Sequence, residues 1–147
     1  MRFELKIDPT AEERVQVTAH AASALTDAIE ALLLRYTGTD RITVEEEDSI
    51  RELSFTEIEC VLTEGGKTYA VDGEGKRLRI RERLCHMEEI LPSCFIRINK
   101  SALANRARIK RFITAYSGAV DVEFFSGYRE YVSRRCFAEI KRRLTKK

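Results

Sequence analysis

The sequence is short of the side chains most enzymes rely on. It has two histidines, His20 and His86, which lie far apart. Its four cysteines, Cys60, Cys85, Cys94 and Cys136, form no C-x-x-C pair, so a zinc site or a dithiol redox motif is poorly supported. Cys85 and His86 are neighbours in sequence, which does not make a nucleophile and its base, because those two must meet in the fold and be oriented by a third group. There is no G-x-S-x-G, no phosphate-binding loop and no H-E-x-x-H. The expectation is no enzymatic activity, no metal and no cofactor. Long apolar runs are missing too, each falling far short of the roughly 18–20 residues of a membrane span. The start, Met1 to Glu13, has neither the basic opening nor the apolar middle of a secretory leader. A soluble, cytoplasmic chain with free, buried thiols is expected.

What is present is a chain of 147 residues, 44% apolar, long enough for one ordinary domain or a small domain behind an extension. The net charge of +2 conceals a gradient. Residues 1–50 hold 5 basic and 11 acidic side chains, residues 51–100 hold 9 of each, and residues 101–147 hold 12 basic against 4 acidic. An acidic head and a basic tail suggest that the tail meets a polyanion, although a solvated basic helix would look the same.

Hydropathy patterning divides the chain near residue 48. Phe3, Leu5 and Ile7 alternate with charged residues, and Asp8-Pro9 closes the run. Val15, Val17 and Ala19 repeat that alternation. Ser23 is placed to cap a helix carrying Leu25, Ala28, Ile29, Leu32, Leu33 and Tyr36 on one face, with Gly38 at its end. Residues 1–47 thus read as a strand-strand-helix head. The acidic cluster Glu45 to Asp48 reads as a solvated connection. Residues 48–147 read as a strand-rich body. Ile58 to Leu62 and Tyr69 to Val71 flank the turn Glu64-Gly65-Gly66-Lys67. Asp72-Gly73-Glu74-Gly75 turns the chain before Leu78 and Ile80, and a short helix with Leu84, Met87, Ile90 and Leu91 ends near Pro92. Phe95, Ile96 and Ile98 suggest another strand. Val120, Val122 and Phe124 alternate, Ser126-Gly127 turns, and Tyr128 to Val132 returns. Ser133 can cap a last helix with Phe137, Ile140 and Leu144 on its apolar side. The class is α+β, and a helix-turn-helix bundle is not expected.

Two segments carry a resemblance. Phe95-Ile96-Arg97-Ile98-Asn99-Lys100-Ser101-Ala102-Leu103-Ala104-Asn105, and Gly127 through Tyr131-Val132-Ser133-Arg134-Arg135 with the helix behind them, together resemble the LytTR family of bacterial DNA-binding domains. The likeness covers roughly residues 50–145, with Ile109, Phe112 and the strand pair 120–132 in the places the family pattern has them. Two positions depart from it: Asn99 stands where the family often has histidine, and Ala104 where it often has valine. The resemblance implies a strand-rich fold that grips double-stranded DNA through loops and a helix start to regulate transcription. It also implies the stand-alone layout: the head is too short for a phosphorylated receiver domain of ~100–150 residues, so no acceptor-aspartate mechanism is expected. In that subgroup a small membrane protein encoded nearby often restrains the regulator.

Three places would then touch DNA. Lys67 and Thr68 follow the glycine turn, where the backbone can approach closely; without the resemblance this is an ordinary exposed turn. Asn99, Lys100 and Ser101 offer an amide for adenine, a cation for guanine or phosphate, and a hydroxyl for phosphate. Ser133, Arg134 and Arg135 open the last helix, whose free N–H groups favour an anion. Consecutive arginines point to different sides of a helix, so Arg135 is taken to read a base, and Arg134 to meet the DNA backbone or to be partly structural. Asn105 is read as a structural amide. Arg79, Arg81 and Arg83 suit a solvated face, and Arg106, Arg108, Lys110 and Arg111 suit accessory phosphate contacts. The apolar stripe of the head suggests a homodimer or a docked regulatory protein. The competing reading is an interaction module whose basic part binds an acidic protein.

Overall fold

A computed structural model describes residues 2–145, and the side chains through Arg143. The sequence-predicted strands at Phe3–Ile7 and Val15–Ala19 are not formed: residues 2–22 contain neither helix nor strand, because their alternating apolar side chains find no partner strand within the chain. The head helix is formed. Helix α1 (Ala24–Thr37) begins where Ser23 Oγ accepts from the Thr26 N–H at 3.3 Å and Thr26 Oγ1 accepts in return from the Ser23 N–H at 2.8 Å. It stops at Gly38, whose φ of 74° is the left-handed conformation that glycine adopts without strain.

The next segment spans the boundary expected near residue 48. Strand β1 (Arg41–Glu46) and strand β2 (Ser49–Ser54) form an antiparallel hairpin, with Arg41 opposite Ser54 and Glu46 opposite Ser49. The acidic cluster is therefore the end of a strand and a turn, not a solvated connection. Glu45 is paired with Arg81, and Glu46 with Arg51 at 2.6 Å and Lys76 at 3.4 Å.

Strands β3 (Ile58–Glu64), β4 (Lys67–Asp72) and β5 (Arg77–Ile80) follow, then helix α2 (Leu84–Ile90), β6 (Phe95–Asn99) and β7 (Ala102–Asn105). Together they make a seven-stranded sheet in the order β2-β1-β5-β4-β3-β7-β6. Strands β8 (Ile109–Thr114), β9 (Val120–Phe124) and β10 (Arg129–Val132) make a second, three-stranded sheet, and helix α3 (Arg134–Thr145) ends the described chain. The α+β class and the strand-rich body hold. Helices α2 and α3 are separated by five strands, so they do not form a helix-turn-helix pair.

Alternation along β3 explains the layering. Val61 faces one core with Val44, Leu78, Ile80, Met87 and Leu103, under α2. Cys60 and Leu62 face the opposite core with Ile98, Val122, Phe124 and Val132, under the small sheet and α3. Being covered on both faces, Ile58 through Val61 are completely buried, Glu59 among them. That carboxylate accepts from Ser126 N at 3.2 Å and from the Ser126 hydroxyl, which fastens the β9–β10 turn to the large sheet. All four cysteines are free, but only Cys60 is buried; Cys85 is exposed. Burial pushes the Cys60 and Cys94 thiols up, away from the reactive thiolate.

Candidate nucleic-acid interface

Strand register brings the three sequence-predicted places to one end of the molecule. β3 runs toward the Gly65-Gly66 turn, where both residues have positive φ, at 60° and 76°. Antiparallel pairing of β3 with β7 sets Leu62 opposite Ala102, and the Thr63 N–H donates to the Ser101 carbonyl at 2.8 Å. The β6–β7 turn therefore lies beside the β3–β4 turn. The Ser133 N–H donates to the Ile98 carbonyl at 2.8 Å, which places the start of α3 against the same turn.

Asn99 is the joint. Its Nδ2 donates to the Tyr131 carbonyl at 2.7 Å, and its Oδ1 accepts from the Ser101 N–H at 2.7 Å. It is only 7% exposed. Both ends of the amide are thus engaged within the protein, holding the β6–β7 turn to the end of β10, with one Nδ2–H and one Oδ1 lone pair left over. Thr68 is likewise buried, at 6% exposure, in the β4 strand opposite Ile80. Both side chains are thus buried, unlike the neighbouring Lys67 and Lys100. Asn105 is structural as expected: its Nδ2 donates to the Ile58 carbonyl at 2.9 Å, and its Oδ1 accepts from the Ala107 N–H at 3.1 Å.

The cations are placed differently. Lys67, Lys100, Arg134 and Arg135 are exposed, and among the described residues none of the four has an ion-pair partner. Arg97 braces the turn from below, donating to the Lys100 carbonyl at 3.0 Å while paired with Glu88. Ser133 Oγ accepts from the Cys136 N–H at 3.2 Å, so the expected cap is present and its hydroxyl proton remains free to donate. Successive residues on a helix are about 100° apart, so Arg134 and Arg135 cannot both face one target.

Other basic residues of the tail have partners within the protein. Arg106 pairs with Asp27 of α1 at 2.9 Å, and Arg108 donates to the Thr56 carbonyl at 2.9 Å. Lys110, Arg111 and Arg129 surround Glu123 at 3.8, 3.2 and 2.9 Å. The hydrogen bond from Arg111, with the charge of Arg129 beside it, holds the Glu123 carboxyl below its ordinary value. Asp27 and Glu123 thus offset part of the positive excess of residues 101–147, while Lys110, Arg111 and Arg129 keep more than half of their side chains exposed.

One neighbour was missed in the sequence. The β8–β9 turn lies at this same end, because Thr114 pairs with Val120 and Val120 with Val132. A side chain added at Gly118 would sit 3.9 Å from the Arg134 guanidinium, and Tyr116 stands fully exposed at the tip. Its signal was the Tyr-Ser-Gly turn between two apolar stretches, legible only once Ile109 to Thr114 is recognised as a strand. Among the described residues no group of three histidine, cysteine or acidic side chains is arranged to hold a metal, and no helix is long and apolar enough to cross a membrane.

The fold has known counterparts. The LytTr DNA-binding domain profile matches residues 48–145, about two thirds of the chain. The chain belongs to the LytTr DNA-binding domain family. That family is one of DNA-binding domains, not of enzymes. The LytTr DNA-binding domain of a Bacillus cereus protein described as a methyl-accepting/DNA response regulator superposes with a TM-score of 0.65 at 21% identity, over 72% of this chain and 97% of that one. Uncharacterized HTH-type transcriptional regulators from Staphylococcus aureus strains NCTC 8325 / PS 47 and COL are each 31% identical over 70 residues, covering 48% of this chain and 48% of theirs. The chain spans about half the length of the curated relatives it matches.

Proposed function

We propose that this chain is a sequence-specific, double-stranded DNA-binding transcription regulator whose contacts come from turns and one helix start. The observation that carries the reading is the gathering of Lys67, Lys100, Arg134 and Arg135, all exposed and unpaired, at one end of a LytTr body. Lys67 and Lys100 neutralise phosphates, and the N–H groups at the start of α3 with Ser133 and Arg134 hold another. Arg135 reads a guanine edge in the major groove. Asn99, Thr68 and the backbone of Ser101 set the geometry without reaching the bases.

In this reading the regulator works in the cytoplasm as a homodimer on paired half-sites spaced by about one helical turn of ~10 bp. Restraint by a small membrane protein encoded nearby is a further proposal resting on the resemblance alone. The head is the part available for such contacts: α1 is tied to the body by Asp27–Arg106 and by Glu30, which accepts from the Ser93 N–H and hydroxyl at 2.6 Å each, yet Leu25, Leu32 and Tyr36 stay exposed. The test is a mobility-shift titration on genomic fragments selected by the protein, against scrambled versions, over a range of salt. Tighter binding to the selected fragments supports the proposal; equal binding to both refutes sequence specificity.

A further inference from the structure

The homodimer reading can be carried to a particular contact. Among the described residues, eight of the twelve exposed large apolar side chains lie between Phe3 and Tyr36. Phe3, Leu5 and Ile7 are 86%, 73% and 85% exposed, on a segment that has strand patterning and no partner. Its end is defined: Asp8 Oδ1 accepts from the Thr10 N–H at 3.0 Å and its hydroxyl at 2.7 Å, and Pro9 cannot extend a ladder.

The order of charges within this segment says what pairs with it. We propose that Arg2–Asp8 of two copies pair as antiparallel strands about a two-fold axis at Leu5. In that register Arg2 faces Asp8, Phe3 faces Ile7, Glu4 faces Lys6 and Leu5 faces itself, so every cross-strand pair is either oppositely charged or apolar. Moving the axis to Glu4 sets Glu4 against itself and Arg2 against Lys6. Moving it to Lys6 sets Lys6 against itself and Glu4 against Asp8. A parallel, in-register pair stacks like on like throughout. Only the Leu5 register satisfies all the charges, and a pattern that is its own complement identifies the occupant as a second copy of this chain, joined by an isologous contact. The alternation puts Phe3, Leu5 and Ile7 of both strands on one face of the ribbon. The exposed Leu25 and Leu32, one face of α1 in each copy, are the apolar surface available to cover it.

The test is sedimentation equilibrium of the full-length chain and its variants Glu4→Lys, Lys6→Glu and the double exchange Glu4→Lys/Lys6→Glu. Each single change turns both symmetry-related pairs into like-charge pairs, and the dimer dissociation constant should rise about 10–30-fold. The double exchange recreates the complementary pattern and should restore it. Circular dichroism should show the body folded in all of them, since the segment lies outside both cores. A wild-type chain that stays monomeric overturns the contact and the homodimer together. A wild-type dimer indifferent to the single changes overturns this contact alone. Single changes that weaken the dimer without rescue by the exchange overturn the two-fold pairing, because the segment then meets a different surface. None of these outcomes bears on DNA binding by the body.

Discussion

Replacing Asn99 with alanine separates support of the interface from reading of a base. The substitution deletes two hydrogen bonds of 2.7 Å each, and leaves the Tyr131 carbonyl and the Ser101 N–H without their partner. Each buried group so orphaned costs about 1–3 kcal/mol, but this site lies at a turn where water can enter, so the low end applies and the total is about 2–4 kcal/mol. For a chain of this size that lowers Tm by roughly 4–16 °C, at about 2–4 °C per kcal/mol. Binding should also weaken, because the turn bearing Lys100 and the start of α3 bearing Arg135 lose the amide that joins them. The preferred sequence should not change. Urea or thermal unfolding gives the stability loss, and binding to selected DNA and to single-base variants of it, well below the transition, gives the preference. An Asn99→Ala protein of unchanged stability that has lost discrimination at an adenine would refute the argument and return Asn99 to the bases.

Lys100→Ala should leave Tm unchanged while lowering the slope of log K against log salt by about 0.9, read from a salt titration; an unchanged slope removes the lysine from the phosphate contacts. Arg135→Ala should cost about 1–3 kcal/mol on the preferred site and flatten preference at one base pair, as measured on a panel of single-base variants. Glu123→Gln should destabilise the small sheet near neutral pH. Because the folded carboxyl titrates below its ordinary value of 4.5, the advantage of the wild type is complete above that pH and fades as pH falls through the lower folded value, which paired unfolding curves will show. A chain beginning at Thr39 should fold and bind one half-site, whereas one beginning at Ser49 loses β1 and exposes β5, and should be markedly less stable to urea.

Elements were legible in the sequence wherever local signals are strong. The hairpin around Gly65-Gly66, the helix between Ser23 and Gly38, and the alternating pair Val120–Phe124 and Tyr128–Val132 all form as their patterns indicate. The head strands failed for a physical reason: alternation shows that a segment can lie half-buried, not that a partner lies in the same chain. β1 escaped notice because Glu45 and Glu46 look solvated until Arg51 of β2 and Lys76 and Arg81, at the two ends of β5, are placed beside them. At this end of the molecule the exposed cations could be found from residue type and position. The hydrogen bonds of Asn99 could not, since its partners Ser101 and Tyr131 meet only when two separate sheets are docked. Glu59 was silent for the same reason, its serine partner lying in the turn of the other sheet.

The account stands most directly on the salt dependence of specific binding. A titration of the full chain against a selected DNA fragment and its scrambled counterpart, from low to physiological salt, measures affinity, preference and the number of phosphates neutralised at once. The four exposed cations predict a slope near −3 per protomer bound, from roughly three phosphate contacts at about 0.9 each with Arg135 on a base, and a preference for the selected fragment that persists as salt rises. A shallow slope on both fragments, or no preference between them at any salt, would contradict it.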